Sequence, residues 1–220
     1  MTSPSRIALV HAVTVAMPPI QQALASLWPD VRVQQLLDDS LSGDREAEAT
    51  LTQAMRARIV ALARYAHGCG AQAILYTCSA FGPAIDDARR AVPIPVFKPN
   101  EAMFDDALAQ GRRIGMLATF APSVASMEDE FAAAAKARGI DATLRTTCVS
   151  GAMHALRAGR PEEHDRLLAE AAPAFADCDA LMLAHFSTSR AFDAVSARVS
   201  LPVLASPRSA VRALRAALSR

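Results

Sequence analysis

Short, almost purely apolar runs recur along the chain, separated by longer stretches in which apolar residues return every third or fourth position. Ile7 to Val10 reads as a buried parallel strand, because a strand covered on both faces need not alternate in polarity. Pro18 and Pro19 sit near the start of a helix that runs to about Leu27, since a first turn tolerates proline. Val31 to Leu37 is a second strand. Gly43-Asp44 open a long amphipathic helix to about His67, with Leu51, Met55, Ile59 and Leu62 on one side; Gly68 and Gly70 end it. Ala73 to Tyr76 is a third strand, followed by a turn and a helix opened by Gly82-Pro83. Pro93 to Phe97 is a short fourth strand, put at a sheet edge by its prolines. Asn100-Glu101 then cap a helix from Ala102 to Ala109.

The second half repeats the order. Strands fall at Ile114 to Leu117, Ala142 to Thr146, Ala180 to Leu183 and Pro202 to Leu204, and helices at about Val124 to Ala137, Pro161 to Ala176, Arg190 to Arg198 and Ser206 to Leu218. Ile7-Ala8-Leu9-Val10-His11 faces Ile114-Gly115-Met116-Leu117-Ala118 at a spacing of 107 residues. Ala73 to Cys78 faces Ala180 to His185, and Ile94-Pro95-Val96 faces Leu201-Pro202-Val203, at the same spacing. Three strands in one register point to an internal duplication. The expected fold is α/β: two pseudo-symmetric open parallel-sheet lobes with a site in the cleft between them. Residues 1–98 form the first lobe, 99–205 the second, and 206–220 a terminal helix that packs back on the first.

A chain of 220 residues with 52% hydrophobic and 20% charged residues can bury a core and is not disordered. A net charge of +1, with no block of Lys or Arg, excludes nucleic acid and an acidic membrane surface as partners. No apolar run reaches the roughly 18 residues of a membrane span. Arg6, the run Ile7 to Met17 and Ala23-Leu24-Ala25 imitate a signal peptide. Ile7 to Val10 has a twin in the chain interior, however, and a removed leader should have none. Cys69, Cys78, Cys148 and Cys178 form no C-x-x-C pair and no zinc spacing, so the chain is expected to be cytoplasmic, with reduced thiols and no metal. A homodimer is the expected assembly.

Ligands of open α/β sheets bind beyond the carboxyl ends of the strands. That rule selects His11, Ala12 and Thr14; Asp38, Asp39 and Ser40; Thr77, Cys78 and Ser79; Thr119 and Ser123; and His185, Ser187 and Thr188. Cys78 lies after the third strand and just before a helix N-terminus, where amides and dipole should lower its pKa and favour a thiolate. His185 holds the same station in the second half, and imidazole is the usual proton carrier at neutral pH. Asp38 and Asp39 either select a polar or cationic tail or satisfy a helix end. Cys69 and Cys178 precede strands and read as inert small hydrophobes; Cys148 ends a strand on the site side, where a structural role is favoured. His67, His154 and His164 read as surface or capping residues. The turn His11 to Met17 has no glycine, so the dinucleotide cradle is absent, as are a P-loop and a G-x-S-x-G elbow.

These residues resemble the aspartate/glutamate/hydantoin racemase superfamily, which includes arylmalonate decarboxylase and maleate isomerase. The resemblance runs from Ile7 to the final helix. It is carried by Leu75-Tyr76-Thr77-Cys78-Ser79-Ala80, by Ile94-Pro95-Val96 leading to Glu101-Ala102, by Ile114-Gly115-Met116-Leu117-Ala118-Thr119 and by Leu181-Met182-Leu183-Ala184-His185. It implies cofactor-independent chemistry at the carbon next to a carboxylate, with a small carboxylate-bearing substrate. The family's racemases use two cysteines, one per lobe, on opposite faces of the substrate. Cys78 matches the first; His185 stands where the second would be. The family's decarboxylase keeps one cysteine, in the other half. The family's anion-binding positions correspond here to His11, Ser79, Thr119 and Ser187.

Three functions follow as expectations. One is a racemase or isomerase in which Cys78, as thiolate, serves one face and His185 either serves the opposite face or keeps Cys78 ionised through an ion pair, with His11, Thr77, Ser79, Thr119, Ser123, Ser187 and Thr188 binding the substrate. Another is a decarboxylase or lyase with Cys78 as sole proton donor. The last is a carboxylate-binding protein of the same fold without turnover.

Overall fold

The computed structural model describes residues 5–219. Residues 1–4 and 220, assigned above to the first lobe and the terminal helix, lie outside them. Two four-stranded parallel sheets form the centre, in the orders β2-β1-β3-β4 and β6-β5-β7-β8. The first holds β1 (Arg6–His11), β2 (Arg32–Leu37), β3 (Ala73–Tyr76) and β4 (Val96–Phe97). The second holds β5 (Arg113–Ala118), β6 (Thr143–Cys148), β7 (Ala180–Leu183) and β8 (Val203–Ala205). Their registers match across the duplication: Val10 lies beside Tyr76 as Leu117 lies beside Leu183. The proline-flanked strand is indeed an edge, and Pro95, which lacks an N–H, still accepts from the Ile74 amide at 2.9 Å through its carbonyl.

Both faces of each sheet are covered, which is why β3 and β7 are apolar throughout and β1 and β5 are apolar over 7–10 and 114–118. Ala8, Val10, Ile74 and Tyr76 face α3 (Gln53–Gly68) and α4 (Gly82–Ala91). Ile7, Leu9 and Leu75 face α1 (Met17–Leu27) and α10 (Ser206–Leu218). In the second lobe α5 (Glu101–Gln110) and α6 (Val124–Ala137) cover one face. The other lies under α8 (Pro161–Ala171) and α9 (Phe192–Ser196). The helix that ends each half crosses to the other sheet: α5 follows β4 but covers β7 and β8, and α10 follows β8 but packs on α1 and β3.

Several expectations need correction. The long helix from Gly43 to His67 is two helices, α2 (Ser40–Ala47) and α3. Glu48 is extended, and the Thr52 hydroxyl accepts from the Met55 amide at 3.3 Å, so a fresh N-cap restarts the helix. A short helix, α7 (Ala152–Arg157), was not foreseen. The helix from Pro161 tightens into a 3-10 turn over Ala172–Phe175, and the helix from Arg190 shrinks to α9 behind a 3-10 turn over Ser187–Ala191. Asn100 holds the N-cap position of α5 but does not cap it; its Oδ1 accepts from Ser206 Oγ at 2.5 Å. His164 is not at the surface. It is fully buried, with Nδ1 2.8 Å from Asp165 Oδ1.

Candidate active site

The carboxyl ends of β1, β3, β5 and β7 meet at one place, and a small cleft, partly open to solvent, lies beyond them. Thr77, Cys78 and Ser79 line it from the first lobe and His185 and Ser187 from the second. Two residues of different chemistry, each two positions past the equivalent central strand, therefore share one cavity. Ser79 and Ser187 are 5% and 4% exposed at its wall.

The protonation states are set by burial. Desolvation pushes the Cys78 thiol up to about 11; the Ala80 amide and the charge of Arg45 oppose that rise without cancelling it. Burial thus disfavours the thiolate expected from the sequence. Only a three-residue 3-10 turn, Ser79–Phe81, follows Cys78 before α4, so few aligned amides act on the sulfur. His185 is pushed down to about 4, first by desolvation and then by the neighbouring His164. The Thr119 amide donates to Nδ1 at 3.3 Å, which identifies Nδ1 as the unprotonated nitrogen. The Thr119 hydroxyl lies at the same distance. Nε2–H then donates to Ser123 Oγ at 2.8 Å, and Ser123 donates onward to the Phe120 carbonyl at 2.9 Å.

Four predicted residues stand behind the wall rather than in it. Thr119 and Ser123 hold the imidazole, as described. Thr188 closes the turn around it, accepting from the His185 amide at 2.9 Å and donating to the His185 carbonyl at 2.6 Å. His11 is 1% exposed: its Nε2–H donates to Gln35 Oε1 at 2.6 Å and its Nδ1 accepts from Thr77 Oγ1 at 2.8 Å. Burial lowers its pKa, so it positions Thr77 as a neutral ring. Asp38 is taken by Arg58, whose Nε and Nη2 donate to it at 3.0 and 2.6 Å. Cys148 is exposed at the end of β6 and is not among the lining residues.

The sequence reading missed Val13, Val15, Ser42, Phe120, Met153, Arg157 and Phe186, which also line the cleft. It missed Arg45 of α2 as well, whose charge reaches Cys78 and whose buried Nε–H has no partner among the described residues. Arg157 ends α7, and its Nη2 donates to Glu46 Oε1 of α2 at 2.6 Å, across the two lobes. The usable signal was the duplication: α2 and α7 follow equivalent strands. Among the described residues, no group of three His, Cys, Asp or Glu side chains could hold a metal, and no helix is long and apolar enough to cross a membrane.

A family model described as Asp/Glu/Hydantoin racemase matches residues 15–177. No curated protein matches the chain by sequence. Among solved structures, glutamate racemase isoform RacE1 of Bacillus anthracis superposes with a TM-score of 0.79 at 12% identity, covering 99% of this chain and 82% of that one. The aspartate racemase of Picrophilus torridus gives 0.73 at 13% identity, with 96% and 94% covered. A variant of arylmalonate decarboxylase in a sulfate-associated form gives 0.65 at 20% identity, with 96% and 93% covered. At these identities the likeness speaks for a common fold.

Proposed function

The chain belongs to the Asp/Glu/hydantoin racemase family, and from that membership we propose that it is a cofactor-independent racemase or isomerase that moves a proton on the carbon next to a carboxylate. The observation that carries the proposal is that Cys78 and His185 line one cleft in complementary resting states, a thiol held near 11 and a neutral imidazole held near 4. His185 is the base. Its Nε2–H is anchored on Ser123, while Nδ1 has only 3.3 Å contacts to exchange for a substrate proton. The electron pair left by that proton moves into the carboxylate to give a planar enediolate, and Cys78 Sγ–H protonates the opposite face. Turnover leaves an imidazolium and a thiolate, and a proton passing from one to the other restores the pair. The Ser79 and Ser187 hydroxyls supply donors for the growing oxyanion charge. Incubation with small carboxylic acids in heavy water should place deuterium on the adjacent carbon; Cys78→Ala should abolish inversion at that carbon, and His185→Asn should abolish the exchange itself. No exchange with any acid, or undiminished exchange in the His185 variant, sinks the proposal.

A second reading is a decarboxylase with Cys78 as sole proton donor. It is favoured by the fact that both ring nitrogens of His185 already have protein partners. Carbon dioxide release from a malonate-type acid, retained in His185→Asn and lost in Cys78→Ala, would establish it; a proton exchanged without carbon dioxide would rule it out.

A further inference from the structure

Away from Cys78 and His185 the cleft wall is largely carbon. Val13 and Val15 come from the turn after β1, Phe120 from the turn after β5, Phe186 from the turn after β7 and Met153 from α7. The two aromatic rings are held in place. Phe186 is 1% exposed and belongs to the core beneath α1 and α10, and Phe120 reaches across to pack on the core of the first lobe.

One charged side chain lies among the lining residues, and it is already paired: Arg157 Nη2 sits 2.6 Å from Glu46 Oε1. A second carboxylate on a ligand would have to displace Glu46 or lie against carbon, and moving a charge from water against carbon is strongly unfavourable. An alkyl group entering the same space gains from leaving water. We propose that the ligand is a small monocarboxylic acid with an apolar substituent on the reacting carbon, and that Val15, Phe120 and Met153 set this preference. The inference rests on the carboxylate reading above and narrows it: the charged side chains of aspartate and glutamate do not fit this wall.

Calorimetric titration of the full chain with a graded set of acids tests it. From acetate through propanoate to 3-methylbutanoate, affinity should rise by about fourfold per added carbon until the space is full. Succinate, a dicarboxylate of similar size, should bind at least tenfold more weakly than 3-methylbutanoate. A flat series, or succinate as the tighter ligand, overturns the inference while leaving carboxylate recognition intact. 3-Methylbutanamide separates the two ideas in the other direction: if the amide binds as well as the acid, the apolar wall stands and the carboxylate reading falls. Binding of none of these probes overturns both. Met153→Lys should weaken 3-methylbutanoate at least tenfold and narrow its gap to succinate. Met153→Gln provides the same readout if the lysine variant fails to fold, and unchanged affinity in the folded variant removes Met153 from the role.

Discussion

A thiol near 11 and an imidazole near 4 keep two neighbouring groups in fixed states across the whole neutral range. In the proposed mechanism the working form has a neutral imidazole and a protonated thiol. Protonation of His185 removes the base as pH falls through about 4, and ionisation of Cys78 removes the acid as pH rises through about 11. The expected profile of kcat/KM for deuterium exchange is therefore a broad plateau between those limits, within the range over which the chain stays folded. A rate that climbs about tenfold per pH unit between 7 and 9 would mean that the thiolate is the working form. The residue types at this site were legible because Cys78 and His185 lie two positions past the most apolar strands of the chain. Their pKa values were not, since each depends on how much water the surrounding lobes remove. His11, Thr119, Ser123 and Thr188 show the same limit. A strand-end address puts a polar side chain near the site, but only packing decides whether it faces the cleft or braces the residue that does.

At the scale of elements, the two halves keep their common pattern through local substitutions. β5 carries Gly115 where its twin β1 carries Ala8, because Phe175 lies against β5. A Cβ at Gly115 would come within 2.5 Å of Phe175 Cδ1 and 3.1 Å of Leu181 Cδ1. Gly115→Ala should therefore destabilise the chain by about 1–3 kcal/mol through overpacking, measured as a lower midpoint in urea unfolding. A change below about 0.5 kcal/mol would mean that the ring simply turns aside. The apolar runs placed all eight strands among the described residues to within a few positions. The helices over the cleft were less legible. Helical spacing continues through the break between α2 and α3, and the Thr52 cap competes with it by a hydrogen bond that periodicity does not register. α7 is six residues long, too short to show a period at all.

For the whole molecule, the reciprocal crossing of α5 and α10 ties the lobes together. The last helix of the chain covers the first sheet, with Val211 and Leu214 fully buried against the core that holds Ile7, Leu9 and Leu75. Leu214→Ala should cost about 2–5 kcal/mol although it lies at the far end of the sequence, and thermal unfolding would register the loss. A negligible change would mean that α10 contributes little to the first lobe. By itself the sequence determined the strand order of residues, the duplication and the polar stations at the strand ends, because these follow from local polarity and from a repeat within one chain. The tertiary structure alone decided which of those stations face the cleft, which protonation states they hold and which apolar side chains wall it. The physical reason is that burial and proton affinity depend on neighbours contributed by distant parts of the chain: Arg157 meets Glu46, and Phe120 meets the core of the opposite lobe, only after both halves have closed on each other.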